Sequence, residues 1–184
     1  IFGGVNTLWD RRYGFMNKAL TSPISRSSIA LGKMSAISLI SALQASLIVG
    51  IALAIGVTFP NPFMIIPIMA IVILFSMGFS GISVIVAATA KSQETFWGVI
   101  NFLGMPLFML SPALFPLELL PDWLATIAKL NPVTYTVLLV REMMTGVSEG
   151  GISALLSIGV IAVFVLVMVG LASYVFTREV NKPF

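Results

Sequence analysis

LSPALFPLELLPDWLATIAKLNPVTYTVLLVREMMTG, from Leu110 to Gly146, decides how this chain meets its solvent. An apolar run closes on SPALFP and gives way to two short apolar helices. Their starts are set by Pro121 and Pro132, because proline fits the first turn of a helix and breaks its interior. The second, Val133 to Met144, has about a dozen residues, roughly half of the ~20 needed to cross a bilayer, and carries Arg141 and Glu142 near its end. Such a segment is expected to dip into the membrane and return. Half-length helices are tolerated at membrane depth where protein packs against them or a polar cavity adjoins them, so this stretch is predicted to rim a passage.

The composition agrees: 58% of the 184 residues are hydrophobic and 9% charged, so the solvent of this chain is mostly lipid. A net charge of +3 raises the question of nucleic acid, but the ten basic residues cluster beside apolar spans and form no basic face, so membrane lipid is the expected partner and nucleic acid is not. Cysteine and histidine are absent, which excludes disulfides, thiolate or imidazole metal sites and histidine-dependent catalysis. No catalytic, cofactor or metal residue is predicted.

Four segments are apolar enough to cross: Met34 to Thr58, Ile65 to Thr89, Thr95 to Phe115 and Ile152 to Phe176. The fold class is therefore all-α and polytopic, with four full transmembrane helices, a cytoplasmic connector and an external re-entrant helical hairpin over residues 116–146. Ile1 to Leu8 (IFGGVNTL) looks like the end of a preceding span, and with Ile in place of Met at position 1 the chain is expected to be a fragment. Alternation puts Asp10 to Lys33, the turn Ala90 to Glu94 and the tail from Thr177 to Phe184 on one side. Basic residues test that layout independently, because they are retained in the cytoplasm. Arg11, Arg12, Lys18, Arg26, Lys33, Lys91, Arg178 and Lys182 fall on that side, against Lys129 and Arg141 on the other. The carboxyl terminus is thus expected in the cytoplasm of a cell carrying this protein in its plasma or inner membrane.

Small residues recur at the helical period in the first span (Ser35, Ser38, Ser41, Ala42, Ala45, Ser46, Ala52, Gly56) and in the second (Gly78, Gly81, Ser83, Ala87, Ala88). Close helix packing in lipid explains them; a translocation surface is the other reading.

The connector WDRRYGFMNKALTSPISRSSIALGK can form a short amphipathic helix from Asp10 to Leu20, with Tyr13, Met16 and Leu20 in one stripe and Arg11, Arg12 and Lys18 reaching water or phosphates. Ser22-Pro23 then ends it and opens a new helix. Either this helix lies among headgroups or it docks a cytosolic partner, and Gly14, which weakens it by up to ~1 kcal/mol, would make a partner useful.

In order, D-R-R-x-G-F-x-x-x-A-L-x-S-P-I-S-R, a G-K opening a span, then L-F-P-L-E-L-L-P-D-W-L and L-N-P-V-T-Y before the last span, the chain resembles the permease subunit of ABC type-2 exporters, the group of polysaccharide, Nod-factor and drug exporters. The resemblance covers nearly the whole chain, corresponding to the last four of the six spans usual in that family. It implies that Asp10 to Leu20 is a coupling helix seated in a groove of an ATP-binding subunit, with Asp10, Arg11, Arg12, Gly14, Phe15, Lys18 and Leu20 carrying the contact. It implies an external gate containing Pro116, Pro121, Asn131, Pro132, Tyr135, Arg141 and Glu142. Two permease copies, identical or different, would pair with two ATPases, and ATP and Mg would be bound by that partner subunit, with no cofactor on this chain. The amino-terminal third of the family pattern is missing here, so this stretch alone is not expected to transport.

Arg141 and Glu142 are adjacent and so do not face each other on a helix. Either both lie at the outer interface, with Arg141 snorkelling to headgroups, or one bonds a backbone carbonyl freed by the broken helices and holds the gate shut. Asn131 is placed to cap the helix that Pro132 starts, and Trp123 and Tyr135 suit the interfacial aromatic belt.

The sequence raises four rival readings. Gly78-Phe79-Ser80-Gly81 spells the G-x-S-G of intramembrane serine proteases, but no histidine exists to activate the serine. A secondary transporter would be expected to carry ionisable groups or repeated broken helices in its spans, and the four full spans have neither. A non-transporting anchor or assembly protein is the third. A resident ATPase fails, since Gly32-Lys33 is followed by Met34 and lacks the phosphate-loop spacing.

Overall fold

The computed structural model describes residues 2–13, 24–57, 61–147 and 150–179, without the side chains of Phe2, Arg11 and Arg12. Among the described residues all regular structure is helical. A 3-10 turn, Phe2–Gly4, leads into α1 (Val5–Arg12), followed by α2 (Arg26–Ala54), a 3-10 turn Pro62–Met64 running into α3 (Ile65–Thr89), α4 (Gln93–Met109), a 3-10 turn Leu117–Leu119, α5 (Asp122–Ala128), α6 (Pro132–Thr145) and α7 (Ala154–Glu179).

Local polar groups set these starts. Ser25 Oγ accepts from the Ser28 amide at 3.1 Å to open α2, and Ser92 Oγ accepts from Thr95 at 3.2 Å to open α4. Asn61 Oδ1 does the same for Phe63 at 3.0 Å, with Pro62 beside it. Each side chain satisfies a backbone donor that the helix cannot.

Among the described residues three helices are long and apolar enough to cross a membrane: Arg26–Ala54, Pro62–Thr89 and Ala154–Glu179. This is an all-α, polytopic membrane protein. The expected crossing segment Thr95 to Phe115 is a shorter helix, Gln93–Met109, of 17 residues. At ~1.5 Å per residue it reaches about 25 Å, short of the ~30 Å hydrocarbon layer. Hydropathy continues to Phe115, but Ser111 and Pro112 cannot extend the hydrogen-bond ladder: the Ser111 amide turns to the Phe108 carbonyl at 3.2 Å, and Pro112 has no amide to give.

The connector also differs from expectation. Asp10 does not open a helix; it lies near the end of α1, which begins at Val5 and closes when the Tyr13 amide bonds Trp9 O at 2.9 Å. Nothing in Leu8-Trp9-Asp10-Arg11-Arg12 breaks a helix, so the helix runs through the charges. The expected helix from Asp10 to Leu20 otherwise falls on residues 14–20, outside the described residues.

α3 is the central helix, packed on α7, α2 and the segment before α2. Lipid is as apolar as leucine, so packing density and backbone approach hold such helices together. A Cβ on Gly81 would come within 2.9 Å of the Met168 carbonyl oxygen of α7, and one on Gly78 within 2.8 Å of the Phe164 ring. Phe164 in turn meets Phe75 and Phe79 with ring centroids 5.8 and 5.5 Å away. The small residues of α3 are therefore packing residues: Gly78, Gly81, Ser83, Ala87 and Ala88 are all buried. At one end Ala30 and Met34 of α2 close on Val84, Ala88, Ala172 and Phe176. Further along, α2 turns its apolar face outward, with Leu43, Leu47 and Ile51 more than 60% exposed.

Candidate functional site: a helical hairpin and a basic connector

Where α4 ends, its last carbonyls lack intrahelical donors, as at every helix terminus. The Leu110 amide takes the Pro106 carbonyl at 2.9 Å and Ser111 takes that of Phe108, which passes over Leu107. Asn131 fills the gap: its Nδ2 donates to Leu107 O at 2.6 Å, across 24 positions of sequence. The same side chain caps α6, its Oδ1 accepting from the Val133 amide at 3.0 Å, while Pro132 occupies the first turn. Only 5% exposed, Asn131 thus joins the corner of the hairpin to the end of α4.

The hairpin itself is built from carbonyls and caps. Exposed Pro116 accepts from Leu119 at 3.1 Å to form the 3-10 turn, and Pro121 accepts from Leu124 and Ala125 at 2.8 and 2.9 Å to start α5. Asp122 in the first turn of α5 suits the positive end of the helix dipole. α5 then meets α6 at an 88° bend. Side chains of α6 satisfy the carbonyls α5 leaves open: Thr134 Oγ1 donates to Ala128 O at 2.6 Å and Tyr135 Oη to Lys129 O at 2.7 Å. Tyr135 therefore clamps the corner, a task its aromatic-belt assignment did not foresee. Thr134, fully buried, is a residue that sequence reasoning passed over although it stands inside the quoted L-N-P-V-T-Y motif.

Arg141, half-buried on α6, donates from Nη2 to the Pro112 carbonyl at 3.0 Å. Its partner is thus a backbone carbonyl freed by the break after α4. Glu142 contributes through its main chain: its carbonyl accepts from Gly146 at 2.8 Å, closing α6 on a left-handed residue with φ of 73°. The structure brings Pro116, Pro121, Asn131, Pro132, Tyr135, Arg141 and Glu142 into one hairpin, tied back to the end of α4 through Asn131 and to the loop beyond it through Arg141.

The connector residues lie elsewhere. Asp10 is ion-paired with Lys33 of α2, so its carboxylate has a partner within the chain. Trp9 on α1 and Tyr13 just past its end are exposed. Gly14, Phe15, Lys18 and Leu20 fall outside the described residues, as do the side chains of Arg11 and Arg12.

Ser80, the serine of G-x-S-G, is buried and donates to the Met77 carbonyl at 2.7 Å, with the Met34 carbonyl at 3.4 Å. Its hydroxyl serves helix packing. Among the described residues no acidic group, cysteine or histidine cluster could hold a metal.

The sequence pattern of the ABC-2 type transporter family matches residues 1–145, which include the connector and α1 to α6. This chain belongs to the ABC-2 type transporter family. Proteins named "Putative transport permease ycf38" are similar to it: that of Cyanophora paradoxa is 33% identical over 131 residues, 71% of this chain and 45% of the relative. The one from Pyropia yezoensis is 30% identical over 146 residues, 79% of this chain and 50% of the relative. That of Porphyra purpurea is 31% identical over 135 residues, 73% of this chain and 46% of the relative. The chain thus spans about half the length of the curated relatives it matches. No solved structure matches it.

Proposed function

We propose that this chain is the membrane part of an ATP-driven exporter: it forms the translocation pathway, and a separate ATP-binding subunit holds ATP and Mg and does the hydrolysis. The observation that carries this reading is the latched hairpin within an ABC-2 type chain: two half-length helices bent by 88° and bonded to the end of α4 and the loop after it are suited to act as an external gate. Pro116, Pro121, Asn131, Pro132, Tyr135, Arg141 and Glu142 are the gate residues. The connector from Asp10 to Leu20 docks the ATPase, with Arg11, Arg12, Gly14, Phe15, Lys18 and Leu20 at the contact and Asp10 at its base. A second permease copy, identical or related, completes the pathway.

The distribution of basic residues supports an orientation with residues 10–33, the turn 90–94 and the carboxyl terminus in the cytoplasm and the hairpin outside the plasma or inner membrane. Co-purification from the source cell tests the reading. The full-length permease is expected to bring down an ATP-binding subunit and to lose it when Arg12 or Gly14 is mutated. Impermeant labelling is expected to reach a cysteine at Asp122 from outside and one at Lys18 only from inside. Transport sustained by a proton gradient alone, or the reverse labelling pattern, would reject it.

A further inference from the structure

The 3-10 turn lies against α2 and α3, α1 packs on α3 and α4 through buried Leu8, and this segment meets its neighbours at two heights. At the first, Gly3 lies so close to α2 that a Cβ there would come within 2.8 Å of the Ile37 side chain, and the Gly4 amide donates to Ser83 Oγ of α3 at 2.9 Å. At the second, Asp10 pairs with Lys33, 23 positions later. The lysine and aspartate side chains are 20% and 32% exposed, and their sequence neighbours Leu8 and Met34 are buried, so the pair sits at the rim of the apolar core with water on one side. Such a pair is screened less than one in open solvent. It joins the end of α1 to the second turn of α2, and thereby closes the two ends of the connector on each other.

We propose that Asp10 and Lys33 form a positioning clasp that makes the base of the connector move with α2, so that displacement of the connector reaches the spans. This rests on the reading of the connector as the ATPase docking element. The mechanical argument is simple. A segment whose ends are pinned together tilts as a unit, whereas one whose last α1 turn is free to fray takes up the displacement itself. Lys33 is the eighth residue of the 29-residue α2, so the clasp grips that helix inside its first turns and not at a fraying tip. Lys33 does not need to touch the ATPase.

The test uses the full-length permease reconstituted with its ATP-binding subunit, comparing wild type, Asp10→Asn, Lys33→Gln and the charge exchange D10K/K33D. Each single variant is expected to lower transport per ATP hydrolysed by about five-fold, the scale of a partly shielded ion pair, with ATPase binding kept in Lys33→Gln, and the exchange to recover to within about two-fold. Nitroxide labels at exposed Asn6 and Leu31 supply a second readout, with a distance distribution expected to broaden in the single variants and narrow again in the exchange. Unchanged coupling in the single variants, unbroadened distances, or an exchange that rescues neither readout would overturn the clasp alone. Loss of ATPase binding in Lys33→Gln would place that residue at the ATPase surface, overturning the clasp and leaving the docking reading intact. A wild-type complex without ATP-dependent transport would instead overturn the docking reading, and with it the coupling role.

Discussion

The Arg141 guanidinium donates to the main-chain carbonyl of Pro112, 29 positions upstream, at 3.0 Å. Proline makes that carbonyl available: the residues after Pro112 are not helical, so no amide four positions on arrives to take it. A charged donor on a desolvated carbonyl is among the stronger protein hydrogen bonds, at about 1.5–3 kcal/mol. It links the last turns of α6 to the loop after α4, so opening the hairpin requires that this bond be broken or exchanged.

Arg141→Ala is therefore expected to unlatch the hairpin without disturbing the cytoplasmic side. In the full-length transporter it should impair transport while ATPase co-purification is retained, and a cysteine at exposed Ala113 should react faster with an impermeant maleimide added outside. Arg141→Lys, which keeps the charge and loses the planar fork, should fall between the two. Normal transport by the alanine variant would remove Arg141 from gating.

Asn131 has two separable tasks, and two substitutions divide them. Serine keeps an N-cap acceptor for Val133 but is too short to reach Leu107; alanine loses both bonds. Thermal unfolding in detergent is expected to rank wild type above Asn131→Ser and Asn131→Ser above Asn131→Ala, with about 1 kcal/mol for the cap alone. Equal stability of the serine variant and wild type would mean that the bond to Leu107 contributes nothing.

Much of this site was legible because its signals are local. Pro121, Pro132 and Asn131 mark helix starts through turn chemistry that needs no tertiary context. A freed carbonyl was one of two arrangements the sequence left open for Arg141, and which carbonyl it meets could not be read from it. The shortness of α4 was hidden because hydropathy persists to Phe115 while the ladder fails at Ser111, and apolarity carries no information about backbone bonding. Thr134 and Tyr135 were obscured by their types, since a threonine or tyrosine near a membrane surface has many ordinary uses. The partner of Asp10 is purely tertiary, 23 positions away, and no periodicity points to Lys33.

Two glycines give opposite expectations. Gly81→Ala places a Cβ against the Met168 main chain, which cannot swing aside, so α3 and α7 must separate at a cost of about 1–3 kcal/mol. Gly98, in α4, has nothing within 4 Å of a built Cβ, and Gly98→Ala should be neutral or gain up to about 1 kcal/mol of helix propensity. Unfolding midpoints of the two variants in the same detergent check this. A stabilised Gly81→Ala would contradict the close approach.

Ser80 and Ser83 lie one turn apart on α3, both fully buried, and are expected to respond differently to alanine. Ser80 donates to carbonyls at Met77 and Met34, and an alanine there removes a donor without orphaning a backbone amide. The effect should stay near the ~0.6 kcal/mol typical of hydroxyl bonds between membrane helices. Ser83 instead accepts from the Gly4 amide, which is itself buried and lies so close that a Cβ on Gly4 would come within 2.1 Å of Ser83 Oγ. Alanine at Ser83 leaves that amide unpaired, with a penalty of about 1–3 kcal/mol. It should also loosen the segment before α1, detected as faster hydrogen exchange at residues 3–8. If Ser80→Ala proved the more damaging, the bracing of that segment on α3 would lose its support, and the G-x-S-G serine would need a role beyond packing.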